Sequence, residues 1–209
     1  MESILRLAAD YVTNLLKFNL PQEMTYHDLT HIKEAVKTAE EIGKNSKLKP
    51  SEIEILLLAA WFHDIGMVFQ YGEHEEKSAE ICRAFLTAHD YSQDNIETVV
   101  KIILSTRIPQ KPKNLLEEIM CDADLSYIGK EKFDSRSQLL RQEWKNMLGK
   151  NFSDYEWLKA NIDFLIENKF HTKSAKSLFD KQRKVNLAKL QKKLLNYKIT
   201  PPPKHKSLS

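Results

Sequence analysis

An apolar segment that ends in a histidine and an aspartate constrains this chain more than any other part of it. Residues 56–62 are Leu-Leu-Leu-Ala-Ala-Trp-Phe, followed directly by His63 and Asp64 and then by Gly66. Such a run is typical of a buried helix. A carboxylate and an imidazole at its end cost several kcal/mol unless they are paired or bind a cation. The pair is therefore either a polar helix end that reaches solvent or two metal ligands held in the core.

The remaining sequence predicts an all-α fold. Apolar residues recur at helical spacing, no stretch alternates cleanly over a strand's length, and 42% of the 209 residues are hydrophobic. We expect one helical domain over residues 1–195, with a core at about 25–130 and further helices at 130–195. The proline-containing residues 196–209 are predicted to be a disordered tail.

Local signals predict where helices begin and end. Ser51 with Glu54 is predicted to form a capping box, and Gly43 is placed to end the preceding helix. If that preceding helix already includes His27, this residue shares a face with His31. Further helix starts are predicted at Ser92, Asn114 and Ser153, and a helix end at Gly149.

The composition limits the cellular compartment and the binding partners that we expect for this protein. A net charge of +3 is mild and does not require a nucleic-acid partner. Cys82 and Cys121 have no zinc-type spacing, so free, buried thiols in a reducing compartment are expected. No secretory signal and no apolar run of about 20 residues is visible, which favours a cytoplasmic protein without a membrane partner.

Other polar residues favour the metal-site interpretation of His63 and Asp64. His31 and Asp124 also lie at the start or end of apolar helical segments. Two imidazoles and two carboxylates suit a single divalent ion such as Mn, Fe, Co, Ni, Mg or Zn. Four protein ligands leave positions for water and substrate, which is what metal-assisted hydrolysis requires.

The order His31, His63-Asp64, Asp124 resembles that of the HD superfamily of metal-dependent phosphohydrolases. Additional segments are similar to a bacterial branch of predicted HD phosphohydrolases, so the resemblance extends over roughly residues 25–190. These segments are residues 26–31, 60–64, 75–79, 105–107, 121–125, 141–144 and the region around 183–187. The resemblance implies an HD-domain helical bundle in which His31, His63, Asp64 and Asp124 bind the metal.

The resemblance also implies an activity. It predicts cleavage of a phosphate ester of a nucleotide, or of a related small phosphorylated metabolite, by a metal-activated water that Asp64 helps to position. Either His27 or Glu75 is the expected proton donor, although His27 could instead orient a ligand or be a hydrogen-bonded residue at a helix start. Residues 105–107 are Ser-Thr-Arg where some relatives have a ligand histidine, which favours one metal over two.

Three residues are candidate substrate contacts. His74 and Ser78 lie in the first turns of a predicted helix, whose N-terminus favours anions. Arg107 could clamp a phosphate, and a surface arginine is the alternative.

Two other polar sites have different predicted roles. His89-Asp90 repeats the His-Asp dipeptide of residues 63–64 without its sequence context and is predicted to be a surface turn. Asp122 is predicted to cap a helix or to support a ligand.

Two other functions stay open at this stage. A di-iron oxygenase of the HD type needs about six ligands, more histidines than this chain clearly supplies. A non-catalytic nucleotide-binding HD module is disfavoured by the intact ligand set. Alarmone hydrolysis is disfavoured because residues 67–68 are Met-Val where the corresponding enzymes carry Glu-Asp. A small phosphate compound is the expected partner, nucleic acid is not expected, and a homodimer is left open.

Overall fold

Helices are the only regular elements in the described part of the chain. The computed structural model describes residues 3–199, which contain nine α-helices and two short 3₁₀ segments at Ile65–Val68 and Leu125–Gly129. The α-helices are α1 Ile4–Asn19, α2 Leu29–Asn45, α3 Pro50–Phe62, α4 His74–Ala88, α5 Gln93–Leu104, α6 Leu115–Asp124, α7 Phe133–Leu148, α8 Asp154–Glu167 and α9 Lys173–Ile199. The all-α prediction is confirmed. Helix α9 runs past the predicted end at residue 195, and residues 200–209 of the predicted tail lie outside the described residues.

Helix α3 forms the centre of the fold, as its sequence predicts. It contacts α1, α2, α4, α5 and α6. Leu56, Leu58, Ala59, Ala60 and Phe62 are all fully buried. A helix that is apolar on every side can be stable only when neighbouring helices cover it all round. The end of α3 is therefore held in place by the protein core.

The predicted start of α3 is wrong by two residues, because the N-cap is Lys49 and not Ser51. Pro50 is the first helical residue, and the backbone N–H of Lys49 donates to Glu52 Oε2 at 2.7 Å. Ser51 thus lies inside the first turn of α3. Pro50 occupies the first helical position, where proline is favourable. Glu54 has a different partner, the hydroxyl of Tyr91, which donates to it at 2.8 Å.

Gly43 does not end α2, because the helix continues to Asn45. Its role is close packing. A Cβ at this position would lie 2.6 Å from Ile53 Cδ1 and 3.3 Å from Leu56 Cδ2, so these side chains of α3 would have to shift to admit it. The remaining predicted ends are confirmed: Ser92, Asn114 and Ser153 precede α5, α6 and α8, and Gly149 ends α7 with a φ of 63°.

Asp122 connects helix α6 to the start of α9. It lies in α6, and its carboxylate accepts hydrogen bonds from the backbone N–H groups of His171 and Thr172, at 2.7 and 2.8 Å, and from the Thr172 hydroxyl. The Thr172 hydroxyl in turn accepts the backbone N–H of Ala175 at 3.0 Å, so Asp122 holds the residue that caps the start of α9. Its side chain is directed away from Asp124 and the other candidate ligands.

Asp122→Ala is expected to lower the free energy of unfolding by about 2–3 kcal/mol, since it leaves buried donors unsatisfied. Urea titration measures this change. Asp163→Ala, a substitution of an exposed aspartate in α8, is the matched control and should have almost no effect. An Asp122→Ala protein as stable as the control would contradict this role.

Candidate metal centre

Three helix ends deliver the predicted ligands to one place. His31 lies in the first turn of α2, where the Asp28 side chain accepts its backbone N–H at 2.9 Å. His63 follows the last residue of α3, and Asp64 begins the 3₁₀ segment with φ −111° and ψ 1°. Asp124 is the last residue of α6. The change from α-helix to 3₁₀ backbone lets the adjacent His63 and Asp64 face the same point.

The donor atoms of the four residues converge. The Nε2 atoms of His31 and His63 each lie 3.1 Å from Asp64 Oδ2, and they lie 3.3 and 3.6 Å from Asp124 Oδ1. The two Nε2 atoms are 3.3 Å apart. One ligand atom from each residue lies within 4.8 Å of all the others, so the cluster could hold a metal ion.

The hydrogen bonds around the cluster also fit a cation. The Nδ1–H of His63 donates to the Ala60 carbonyl at 2.9 Å, which leaves the lone pair of Nε2 facing the other ligands. Asp64 Oδ2 is buried and receives no hydrogen bond from the described residues. Such an oxygen costs about 1–3 kcal/mol when it is unsatisfied. A divalent cation would remove this cost.

The ligands perturb one another's protonation. Burial acts to lower the pKa of His31 and His63, but the nearby carboxylates of Asp64 and Asp124 outweigh burial and raise both pKa values. Burial acts to raise the pKa of Asp64, and the opposing effect of His63 and His31 holds it well below its usual value. Protonation of the two histidines and ionisation of the carboxylates thus favour each other.

This coupling predicts how metal binding depends on pH. Because the pKa values of His31 and His63 are raised, the stability that they contribute to the metal-free protein is present at acidic pH and is lost as the pH rises through the raised values. A cation competes with these protons. The increase in melting temperature on adding Mn²⁺ should therefore grow between about pH 6 and about pH 9. Thermal melts with and without Mn²⁺ test this, and an increase that shrinks over the range would contradict it.

A cavity of about 440 Å³ opens beside the cluster. This volume is typical of small-molecule sites. Most of the predicted functional residues line it together with aromatic and aliphatic side chains. The polar residues named in the sequence analysis are His27, Asp64, His74, Glu75, Arg107 and Asp124, and the apolar wall includes Tyr26, Tyr71, Leu140, Trp144 and Phe164.

The start of α4 contributes a second group of polar side chains. His74 Nε2 lies 3.3 Å from Asp64 Oδ1 and 3.6 Å from Glu75 Oε1. Arg107 forms an ion pair with Glu76 and lies 4.0 Å from Glu75 Oε2. The guanidinium is about half exposed at the cavity rim. Asp64 thus presents one oxygen to the two histidine ligands and the other to the cavity.

Ser78 differs from its predicted role as a substrate contact. It is fully buried, and its hydroxyl accepts the backbone N–H of Gly66 at 2.9 Å. Ser78 is not among the residues that line the cavity. The serine therefore ties α4 to the 3₁₀ segment that follows Asp64.

His27 lies before α2, because Asp28 is the N-cap. The helix does not include His27, so His27 and His31 do not share a helical face. The two rings are still close, with centroids 5.6 Å apart. The Nδ1 of His27 is hydrogen-bonded to the carboxylate of Glu143 in α7. An anchor from a distant helix therefore holds His27 at the cavity.

A family model named HD-CE matches residues 20–190. The chain belongs to the HD-CE family. The match includes all four members of the cluster and extends through most of α9, which agrees with the resemblance to HD proteins seen in the sequence. No curated protein matches the HD-CE chain in sequence.

Solved structures share the HD fold with this HD-CE chain at low sequence identity. A predicted HD superfamily hydrolase from an uncultured Thermotogales bacterium is 20% identical, with a TM-score of 0.62 and 92% of each chain covered. Lin1889 from Listeria innocua is 17% identical, with a TM-score of 0.66 and coverage of 95% and 99%. YpgQ from Bacillus subtilis, solved with ADP, is 19% identical, with a TM-score of 0.63 and coverage of 95% and 98%.

The other sequence predictions for the HD-CE chain have simple outcomes. His89 and Asp90 form a surface turn after α4, away from the cluster. Cys82 and Cys121 are free and buried. Within residues 3–199, no helix combines the length and apolar character needed to cross a membrane.

Sequence reasoning gave no role to Glu143, Tyr71 or Trp144 at the cavity. The one available signal was a glutamate between two apolar residues of α7, Leu140 and Trp144. A buried glutamate among apolar residues indicates a fixed set of donors, but the sequence does not say which residues supply them.

Proposed function

We propose that this HD-CE chain is a metal-dependent hydrolase of phosphate esters, and that its substrate is a nucleotide or a related small phosphorylated metabolite. One observation carries the proposal: a buried cluster of two histidines and two aspartates lies at one side of a cavity large enough for such a molecule. His31, His63, Asp64 and Asp124 would hold one divalent ion. When bound, the ion supplies Lewis acidity, which polarises a phosphoryl oxygen and makes a water more nucleophilic.

Residues around the cluster can position the reacting groups. Asp64 Oδ1 faces the cavity beside His74 Nε2, so this pair can orient the attacking water and accept its proton. Arg107 at the rim can form a bidentate contact with a phosphate, exchanging its contact with Glu76 for the substrate. The carboxylates of Glu75 and Glu76 would keep this guanidinium close to the cavity before substrate binds.

The leaving oxygen requires a proton donor. His27 lines the cavity, and because its Nδ1 is bound to Glu143, Nε2 is the ring nitrogen available to substrate. Glu75 is the second candidate, since it is buried at the start of α4 and also lines the cavity. Either group could protonate the leaving oxygen as the bond to phosphorus breaks.

The apolar wall supports a substrate with a planar ring system. Tyr71, Trp144 and Phe164 line the same cavity as Asp64 and Asp124. Aromatic faces of this kind stack on nucleobases. The structural neighbour from Bacillus subtilis was solved with ADP, which gives nucleotides priority among the candidates.

A metal analysis combined with a phosphate-release screen tests the proposal. Protein loaded with Mn²⁺ or Ni²⁺ is assayed against nucleoside mono-, di- and triphosphates and against p-nitrophenyl phosphate. We expect metal binding and phosphate release by the wild type and loss of both in Asp124→Ala. His89→Ala, at the surface turn, is the control and should retain both.

Each contrary outcome has a distinct meaning. A metal-loaded wild type that releases phosphate from no compound would overturn the hydrolase proposal. In that case, tight nucleotide binding would support a non-catalytic module, and oxygen consumption with iron would support an oxygenase. Failure to bind any divalent ion would remove the metal site itself.

A further inference from the structure

On the basis of the hydrolytic function proposed above, we infer that Glu143 is a positioning residue that holds His27 and Tyr71 in the wall of the cavity. Glu143 lies in α7, and its side chain is fully buried. Its partners come from two segments that are distant in sequence, the one before α2 and the one before α4. The C-terminal helices would therefore complete the site that the first six helices begin.

The carboxylate of Glu143 receives four hydrogen bonds. Oε2 accepts the backbone N–H of Tyr26 at 2.8 Å and that of His27 at 3.0 Å. Oε1 accepts the Tyr71 hydroxyl at 2.9 Å and the Nδ1–H of His27. A carboxylate offers about four lone pairs, so its capacity is used in full. Despite burial, which acts to raise the pKa of Glu143, the hydrogen bonds from His27 hold that pKa below its usual value.

These contacts fix a part of the chain that has no helical support. Tyr26 and His27 precede the N-cap of α2, so their N–H groups make no helical hydrogen bond. Glu143 satisfies both groups and also fixes the orientation of the His27 ring. As a result, Nε2 of His27 remains the nitrogen that can reach substrate.

The same carboxylate positions the aromatic wall. The Tyr71 hydroxyl donates to Glu143, and Trp144 is the next residue after Glu143 in α7. Tyr71 and Trp144 both line the cavity. Movement of Glu143 would therefore disturb both the candidate proton donor and the wall that is proposed to hold the base.

Glutamine at this position would change the direction of the side-chain hydrogen bonds. The backbone N–H groups of Tyr26 and His27 require an acceptor, so the NH₂ group of an amide would face Tyr71 and His27, and both would have to accept instead of donate. His27 Nδ1 would then lose its proton and its contact with a negative charge. Because Glu143→Gln changes few atoms, its effect isolates the hydrogen bonding and charge of the carboxylate.

The kinetic test compares two esters with different demands on the proton donor. The leaving group of p-nitrophenyl phosphate needs little protonation, whereas that of phenyl phosphate depends on it. In Mn²⁺-loaded Glu143→Gln, we expect kcat for phenyl phosphate to fall by about 100-fold or more and kcat for p-nitrophenyl phosphate by less than about 10-fold. KM for both esters and the metal content should stay close to wild type.

Glu117→Gln is the matched control. Glu117 is also buried, and its carboxylate accepts the backbone N–H of Lys113 at 2.6 Å and the Asn114 side-chain amide at 2.8 Å. It does not line the cavity. Its replacement should leave the ratio of the two ester activities unchanged. Equal losses on both esters in Glu143→Gln would overturn the positioning role.

A second measurement does not depend on activity. Proton NMR should show a downfield Nδ1–H signal from His27 that is absent in His27→Gln, lost in Glu143→Gln and retained in Glu117→Gln. Persistence of the signal in Glu143→Gln would overturn the inferred contact. If the wild type releases phosphate neither from these two esters nor from any nucleotide of the screen, the proposed function fails, and this signal alone decides whether Glu143 positions His27. If Glu143→Gln does not fold, Glu143→Asp is tested instead. It keeps the charge on a shorter side chain, and it should also lose more activity on phenyl phosphate than on p-nitrophenyl phosphate.

Discussion

Asp64→Asn is expected to remove the bound metal and to lower kcat/KM for phosphate esters by at least about 1,000-fold. Asp64 Oδ2 lies 3.1 Å from the Nε2 atoms of both His31 and His63, and Asp64 Oδ1 lies 3.3 Å from His74 Nε2. It therefore contributes to the metal cluster and to the cavity at once. Asparagine has nearly the same volume but lacks the negative charge that a divalent ion requires.

The metal content by mass spectrometry of the purified protein and the rate of phosphate release measure this effect. Asp122→Asn is the matched control, because the Asp122 carboxylate binds His171 and Thr172 and is not a member of the cluster. The control should lose stability but keep the metal. Retention of one metal per chain by Asp64→Asn would show that Asp64 is not a ligand.

Gly66→Ala is expected to destabilise the protein by about 3 kcal/mol or more. A Cβ at Gly66 would lie 2.8 Å from the backbone nitrogen of Ser78 and closer still to the carbonyl oxygen of His74. Both atoms belong to the backbone of α4, so the clash cannot be relieved by turning a side chain. Helix α4 would have to move, and it would take His74 and Glu75 away from Asp64.

Gly72→Ala provides a direct comparison, because a Cβ at Gly72 meets no atom within 4 Å. Denaturant titration of both variants measures the difference in the free energy of unfolding. We also expect metal affinity to fall in Gly66→Ala and to stay unchanged in Gly72→Ala. Equal stability of the two variants would show that α4 can adjust to the added methyl group.

Much of the fold was predictable because its signals are local. The apolar run that defines α3 is contained in a short segment, and so are the cap at Asn114 and the glycine that ends α7. Predictions failed where a distant contact decides the outcome. Gly43 is a typical helix end by its neighbours, yet α2 continues through it, and the glycine lies against Ile53 and Leu56 of α3.

The candidate ligands were also predictable, because a metal site needs specific donor types in a specific order. His31, His63, Asp64 and Asp124 lie at the ends of apolar segments, and the structure brings their donor atoms together. Ser78 was misjudged for the opposite reason. A serine in the first turns of a helix could contact an anion or a backbone N–H, and only the approach of Gly66 decides between them.

The sequence by itself determined the helical architecture, the central position of α3 and the four candidate ligands whose donor atoms the structure brings together. Only the tertiary structure decided what surrounds that cluster. Glu143 and His27 are 116 positions apart, so no local pattern relates them. Their contact depends on how α7 packs against the segment before α2, and packing is a property of the whole chain. Helix ends and ligand types follow from short-range chemistry, whereas the wall of the cavity follows from which distant surfaces meet.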